Sequence, residues 1–288
     1  MVVTEWNAAC TRRSLREPTA ADDKYSRGVV GMRTGSEAYP GAALLGVEAA
    51  WRTGTGMVRY IGPPRPTALV LSRRPETVTS SGRVQAWVIG SGTDAASRSA
   101  LETSALVRIL SGTVPVVVDA GALDLAADAT APVIVTPHAR EFDRLRAVLG
   151  LPALRPDADD AERTDAARDT ATALGGVVLL KGSATLVADP GGDVRIVRAG
   201  TPWLATAGTG DVLGGVLGAV IAGGVARDES GDPGRWLADA VASASWLHGR
   251  AGNAAAERLG GSGGPITALD VAEALPGVVG ALLASASD

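Results

Sequence analysis

One cysteine, Cys10, and two histidines, His138 and His248, occur in the 288 residues. A single thiol excludes an internal disulfide framework, and the three residues cannot between them build a Cys/His zinc site. The compartment this implies is reducing cytoplasm. An excess of positive charge is missing too. Lysine and arginine number 27 against 31 acidic residues, a formal net charge of −4 with no basic stripe. That argues against nucleic acid or an anionic membrane as the main partner. The N-terminal residues carry Arg12, Arg13 and Arg16 without an apolar core, so they are not a secretory signal. Glu5, Glu17, Asp22 and Asp23 argue against a transit peptide. No apolar run reaches the roughly 18 residues of a membrane span; the run over 212–226 is shorter, full of glycine, and reads as a core helix.

Familiar nucleotide and hydrolase motifs are missing as well. There is no G-x-x-x-x-G-K-[ST] loop, and the Gly90-Ser91-Gly92 and Gly208-Thr209-Gly210 stretches lack the third glycine of a dinucleotide fingerprint. Residues 260–264 spell G-x-S-x-G, but no strand precedes them, so a nucleophile elbow is not expected there. His248, beside Trp246 and Leu247 in a helical pattern, reads as structural.

What the chain does have is strand–helix alternation. Hydrophobic residues make up 46% and charged residues 20%, as in a globular protein large enough for a sizeable core. Residues 1–23 look irregular. Strands are expected over 28–33, 57–61, 85–89, 114–118, 133–135 and 177–180, with helices over 42–53, 97–110 and 139–149 and a solvated, Asp-rich helix reaching Leu174. Pro63, Pro64 and Pro66 mark a turn, and 185–188 and 194–197 read as a hairpin around Asp189-Pro190-Gly191-Gly192. Residues 227–235 form a polar loop, 236–258 a long helix, and a last helix runs from a Thr267 cap to Ala274. This pattern predicts one α/β domain over 24–288, with a mainly parallel sheet, helices on both faces and the hairpin at one edge.

The chain is organised around residues 200–224, where a Gly/Thr/Pro loop feeds a buried helix. Gly208 and Gly210 let the backbone approach an anion at the helix N-terminus, where unpaired N–H groups and the helix dipole favour negative charge. Asp211 is then either a functional carboxylate or simply the helix N-cap. Ligands of open α/β sheets bind outside the carboxyl ends of the strands. Asp94, Asp119, His138 and Lys181 each follow a predicted strand at that edge, alongside Asp211.

These residues also spell out a family. Gly35-Ser36 with Tyr39-Pro40-Gly41-Ala42-Ala43, Gly90-Ser91-Gly92-Thr93, Val118-Asp119-Ala120-Gly121-Ala122-Leu123, Thr136-Pro137-His138 with Glu141, Lys181-Gly182-Ser183-Ala184-Thr185, and Thr206-Ala207-Gly208-Thr209-Gly210-Asp211 occur in that order. The chain resembles the ADP- or ATP-dependent NAD(P)H-hydrate dehydratases, over roughly residues 24–278. Two positions depart from the family pattern: Arg140 stands where Gly is common, and Gly121 where Asp or Asn is.

The resemblance implies a ribokinase-like three-layer sandwich and an enzyme that repairs hydrated NADH and NADPH by phosphorylating the new hydroxyl and eliminating phosphate. By the same resemblance, Lys181, Gly182, Ser183, Ala184, Thr185 and Gly210 bind the nucleotide, ADP or ATP, and Gly208, Thr209 and Gly210 form an anion hole. Ala42, Gly92, His138 and Asp211 contact the hydrated dinucleotide, with Asp211 as the base. Magnesium and a homotetramer are implied. At this length no epimerase domain of the kind many relatives carry is expected, so dehydratase activity alone is. The alternatives are a ribokinase-like kinase of a small alcohol such as a vitamin precursor, and a nucleotide sensor without catalysis.

Overall fold

The computed structural model describes residues 1–285 except 229, 231 and 261. In chain order the elements are β1 (Val3–Glu5), α1 (Ala8–Arg13), β2 (Val29–Arg33), α2 (Gly41–Thr53), β3 (Met57–Tyr60), α3 (Pro64–Arg73), β4 (Ala86–Ile89), α4 (Ala100–Leu110), β5 (Val116–Val118) and β6 (Val133–Val135). Then come α5 (Ala139–Val148), α6 (Asp160–Leu174), β7 (Val177–Leu180), β8 (Thr185–Ala188), β9 (Val194–Val197), α7 (Thr209–Arg227), α8 (Leu237–Glu257) and α9 (Ala268–Ala284). The described strands form one nine-stranded sheet, ordered β1-β9-β8-β7-β6-β5-β4-β2-β3. Only β8 runs against its neighbours.

The strands are continuous apolar runs because both faces of the sheet are covered. Alternation then decides which side chain goes where. Val88, Val117, Ile134 and Leu179 point into a core built with α2, α7, α8 and α9. Ile89, Val118, Val135 and Leu180 point into a second core with α4, α5 and α6. The result is the three-layer sandwich that the strand–helix alternation predicts.

α7 is apolar all round because it is enclosed all round. Thirteen of its nineteen residues are buried, so it is a core helix although its length and composition would also suit a membrane. Its glycines mark close approaches. A Cβ at Gly215 would lie 2.1 Å from the carbonyl oxygen of Gly46 on α2, and one at Gly218 would lie 2.6 Å from Val88 of the sheet.

Four expectations are corrected. Residues 1–23 are not irregular throughout: β1 pairs in parallel with β9, and Asn7 caps α1. Three residues with no apolar alternation give too weak a signal to read. The hairpin β8–β9 is consequently not the sheet edge, because β1 covers it. The proline cluster does not form a turn alone but starts α3, with Pro63 as N-cap and Pro64 at the first helical position, where a missing N–H costs nothing. The last helix continues ten residues past Ala274, through Pro276. The 227–235 loop and the 260–264 spelling each include residues outside the described set, and no strand precedes the latter, since α8 ends at Glu257.

Candidate active site

The site is assembled where β4, β5, β6 and β7 end side by side, opposite the start of α7. Gly208 is the N-cap of α7, with φ +89°, and makes no side-chain cap bond. Only glycine takes that backbone readily, and a Cβ there would meet Leu45 at 2.6 Å. Thr209, Gly210 and Asp211 form the first turn, whose N–H groups have no partner within the helix. The hydroxyl of Thr209 donates to the carbonyls of Leu204 and Thr206, both at 2.9 Å, and so ties the turn to the loop before it.

Asp211 is therefore not the N-cap. Its Oδ1 accepts a hydrogen bond from the hydroxyl of Ser91, in the loop after β4. Burial pushes its pKa above the usual carboxylate range, and the charge of Asp119 adds to this. The Ser91 hydrogen bond and the charge of Lys181 oppose the rise. A buried carboxylate with a raised pKa at a helix N-terminus is a feature of sites that move protons.

Asp119, at the end of β5, is almost fully buried at 5% exposure. Its Oδ1 accepts from Lys181 Nζ at 2.8 Å and from the hydroxyl of Thr136 at 2.8 Å. Lys181 follows β7, and its backbone N–H donates to the carbonyl of Pro137 at 3.0 Å. The next residue after Asp119, Ala120, has φ +45°, the one positive value among described non-glycine residues, so the backbone is held in a disfavoured conformation beside the charge pair.

Two cavities flank this centre. One, of about 640 Å³, is lined by Lys181, Gly182, Ser183, Thr185, Thr209 and Gly210, with His248 of α8 and the 199–205 segment closing it. The other, of about 750 Å³, is lined by Tyr39, Gly92, Thr93, Ala120, Gly121 and Leu123, and further along by Glu141 and Arg144 of α5. Gly92 also brings Ala42 to this side: a Cβ on Gly92 would lie 2.3 Å from that of Ala42.

The predicted residues thus separate into groups. Lys181, Gly182, Ser183, Thr185, Thr209 and Gly210 come together around one cavity, and Gly92 lines the other with Ala42 buried behind it. Ala184, expected with them at the nucleotide, is buried and does not line that cavity. His138 caps α5: its Nδ1 accepts from the N–H of Arg140 at 3.2 Å, and its own N–H donates to Glu141 at 2.9 Å. Its side chain is half-exposed and lines neither cavity. Asp94 caps a short 3-10 turn.

Sequence reasoning did not single out Ser91, although the two flanking glycines were a signal that a backbone turn presents its side chain. It read His248 as structural, but that ring lines the first cavity. Burial foremost, and the charge of Lys181, push its pKa down to about 4 against the opposing backbone of Thr209. Its Nε2 has no hydrogen-bond partner among the described residues.

The sequence profile of the NAD(P)H-hydrate dehydratases matches residues 30–277. The chain belongs to the NAD(P)H-hydrate dehydratase family. A bifunctional NAD(P)H-hydrate repair enzyme of Mycobacterium tuberculosis is 45% identical over 227 residues, covering 74% of this chain and 45% of that protein. The chain thus spans less than half the length of this relative. An ADP-dependent (S)-NAD(P)H-hydrate dehydratase of Neisseria meningitidis is 33% identical, covering 82% of this chain and 80% of its own. In structure, the ADP/ATP-dependent NAD(P)H-hydrate dehydratase of Bacillus subtilis, co-crystallized with ATP/Mg2+, superposes with a TM-score of 0.79 at 29% identity, over 98% of this chain and 99% of that one. The fold is ribokinase-like, as the motifs imply.

Proposed function

We propose that this member of the family dehydrates hydrated NADH and NADPH, (6S)-NAD(P)HX, back to NAD(P)H, with ADP as phosphoryl donor and AMP and phosphate as products. The observation that carries this reading is the position of Asp211. It sits in the first turn of α7, held by Ser91; it lines neither cavity itself, but its neighbour Gly210 lines the one suited to a nucleotide, and Gly92, next to Ser91, lines the one suited to a second ligand. The relatives' activities supply the chemistry, ADP or ATP as the nucleotide and hydrated NAD(P)H as the substrate.

In this reading the nucleotide phosphates rest against Lys181, Gly182 and the N–H groups of Thr209 and Gly210. The hydrated nicotinamide enters from the side of Gly92 and Ala42. Its ring hydroxyl attacks the terminal phosphorus as Asp211 takes the hydroxyl proton. The new O–P bond forms, the bond from the terminal phosphorus to the bridging oxygen breaks, and AMP leaves. The lone pair of the ring nitrogen then expels phosphate, and loss of a proton from the adjacent carbon restores the double bond. Phosphoryl transfer needs mainly positioning and charge stabilisation, which the helix terminus and Lys181 provide.

Among the described residues no three His, Cys, Asp or Glu side chains cluster as metal ligands. A magnesium ion would be carried in on the nucleotide phosphates and water, the usual way a hard, reluctantly dehydrated cation binds. The ion would neutralise phosphate charge. A cytoplasmic homotetramer is proposed with this function; light scattering that showed a monomer would reject the assembly.

The test is incubation with hydrated NADH and, separately, ADP and ATP, following the return of reduced-nicotinamide absorbance. No return with either nucleotide overturns the reading. Phosphorus NMR showing a stable phosphorylated alcohol instead of free phosphate would favour the small-alcohol kinase.

A further inference from the structure

Asp211 has two oxygens in unequal surroundings. Oδ1 accepts the Ser91 hydroxyl, whereas Oδ2 has no hydrogen-bond partner among the described residues. Ser91 is itself immobilised. The residue is 2% exposed, its carbonyl accepts the N–H of Gly35 at 2.7 Å, and glycines with positive φ stand on both sides, Gly90 at +89° and Gly92 at +67°. A Cβ at Gly90 would lie 2.2 Å from the carbonyl oxygen of Asp119. The turn that presents Ser91 therefore packs closely against the end of β5. We propose that Ser91 is a positioning residue for the proposed reaction: it fixes the rotamer of Asp211 through Oδ1 and leaves Oδ2 facing the substrate hydroxyl.

This rests on Asp211 being the base, and it adds what makes that carboxylate usable. A carboxylate free to rotate would spend part of its time turned from the substrate, and small misplacements of a catalytic group are costly. The hydroxyl also has an electrostatic effect. Asp211 is faced by Asp119 from the end of β5, by Lys181 from the end of β7 and by Ser91 from the loop after β4. His248 of α8 lies against Thr209 and is neutral at pH 7. Burial and Asp119 favour the protonated carboxyl, whereas Ser91 and Lys181 favour the ionised one. Removing the hydroxyl therefore leaves more of the base protonated at a given pH.

The experiment compares wild type, Ser91→Ala, Ser91→Thr and Asp211→Asn in turnover of hydrated NADH with ADP, from pH 5 to 9. Ser91→Ala is expected to lower kcat by about 10–100-fold, the range for losing a hydrogen bond to a charged group, with the KM for ADP unchanged. The acid limb of its pH–rate profile moves to higher pH. Ser91→Thr, which keeps the hydroxyl, recovers both. A purely structural role would lower the amount of folded enzyme without moving the limb. Unchanged kcat and an unmoved limb in Ser91→Ala, with Asp211→Asn inactive, overturn the proposal and leave the base in place. Full turnover in Asp211→Asn removes the base itself, and the proposal with it.

Discussion

Lys181 Nζ lies 2.8 Å from Oδ1 of Asp119, and the two come from the ends of strands separated by β6. The strand between them contributes Thr136, whose hydroxyl bonds the same oxygen. A lysine that was only solvated would need no such arrangement. Asp119, itself held by Thr136, anchors the ammonium group behind the first turn of α7, where Gly210 is close enough that a Cβ on it would lie 3.7 Å from Nζ. A phosphate resting on that turn meets a positive charge already in place.

Lys181→Ala is accordingly expected to weaken ADP binding by about 10-fold or more, as loss of a charge-assisted contact does. Binding of the hydrated dinucleotide should change far less. Calorimetric titration with each ligand checks this, and equal loss of both would point to collapse of the loop. The variant also leaves Asp119 buried without its cation, so its thermal midpoint should fall. Adding Asp119→Asn should recover part of that fall, because the uncompensated charge goes with it.

A second buried carboxylate is independent of the site and makes stability depend on pH. Glu48 of α2 has a fully buried side chain that accepts from Arg52 and Arg74. Burial pushes its pKa up, but the hydrogen bonds and charges of the two arginines outweigh this and hold it below the usual carboxylate range. A carboxylate with a depressed folded-state pKa contributes stability that is fully present above its unfolded value, about 4.3, and lost as pH falls through the folded value. Glu48→Gln should therefore cost about 2 kcal/mol at pH 7, modest for a buried pair because both arginines keep some contact with water. Urea midpoints measured at decreasing pH should show the gap between variant and wild type closing below about pH 4.

The glycines of the helices divide by their surroundings. Gly215 faces the backbone of α2 at a distance no methyl group can share. Gly215→Ala should destabilise by about 1–3 kcal/mol or more, because the obstacle is a carbonyl and not a flexible side chain. Gly280, on the exposed side of α9, has no heavy atom near its would-be Cβ. There Gly280→Ala should stabilise by about 1 kcal/mol through helix propensity alone. Chemical denaturation of the two variants reads the opposite signs directly.

The fold was legible wherever burial leaves a run of apolar residues. β6 and β7 stand where their valines and leucines predict, and Gly54 and Gly175 end α2 and α6 in the left-handed conformation that glycine favours. What was not legible depends on partners far off in sequence. β1 is a strand because β9 offers it an edge, nearly two hundred residues away, and nothing in Val3-Thr4-Glu5 encodes that. α9 passes Pro276 because α8 and α2 hold it in place. At the site, the loop glycines and the charged residues at strand ends could be read from spacing. The Ser91 bond to Asp211 spans 120 residues, and the charge pair of Lys181 with Asp119 spans 62. His138 also caps α5, a local role its place before that helix did not reveal.

Asp211 gives the sharpest test, because catalysis and stability predict different things for it. It stands two residues inside α7, with Gly208 as the cap, so its carboxylate gains from the helix dipole by about 0.3–1 kcal/mol at most. Against that, its pKa is raised in the folded protein, burial being the main cause. An acid whose folded-state pKa lies above its unfolded value adds stability while protonated and loses it as pH rises through the unfolded and then the folded value. At pH 7 the ionised group is thus a burden on the fold. Asp211→Asn keeps the shape and can still accept the Ser91 hydroxyl, but it cannot take a proton. Turnover should fall by the roughly 10²–10⁴-fold typical of a lost general base, while ADP binding is retained and the thermal midpoint at pH 7 stays level or rises. A carboxylate kept at a cost in stability belongs to function rather than packing. Unchanged turnover together with a lower midpoint would mean the reverse, that Asp211 serves the helix and the reaction has another base.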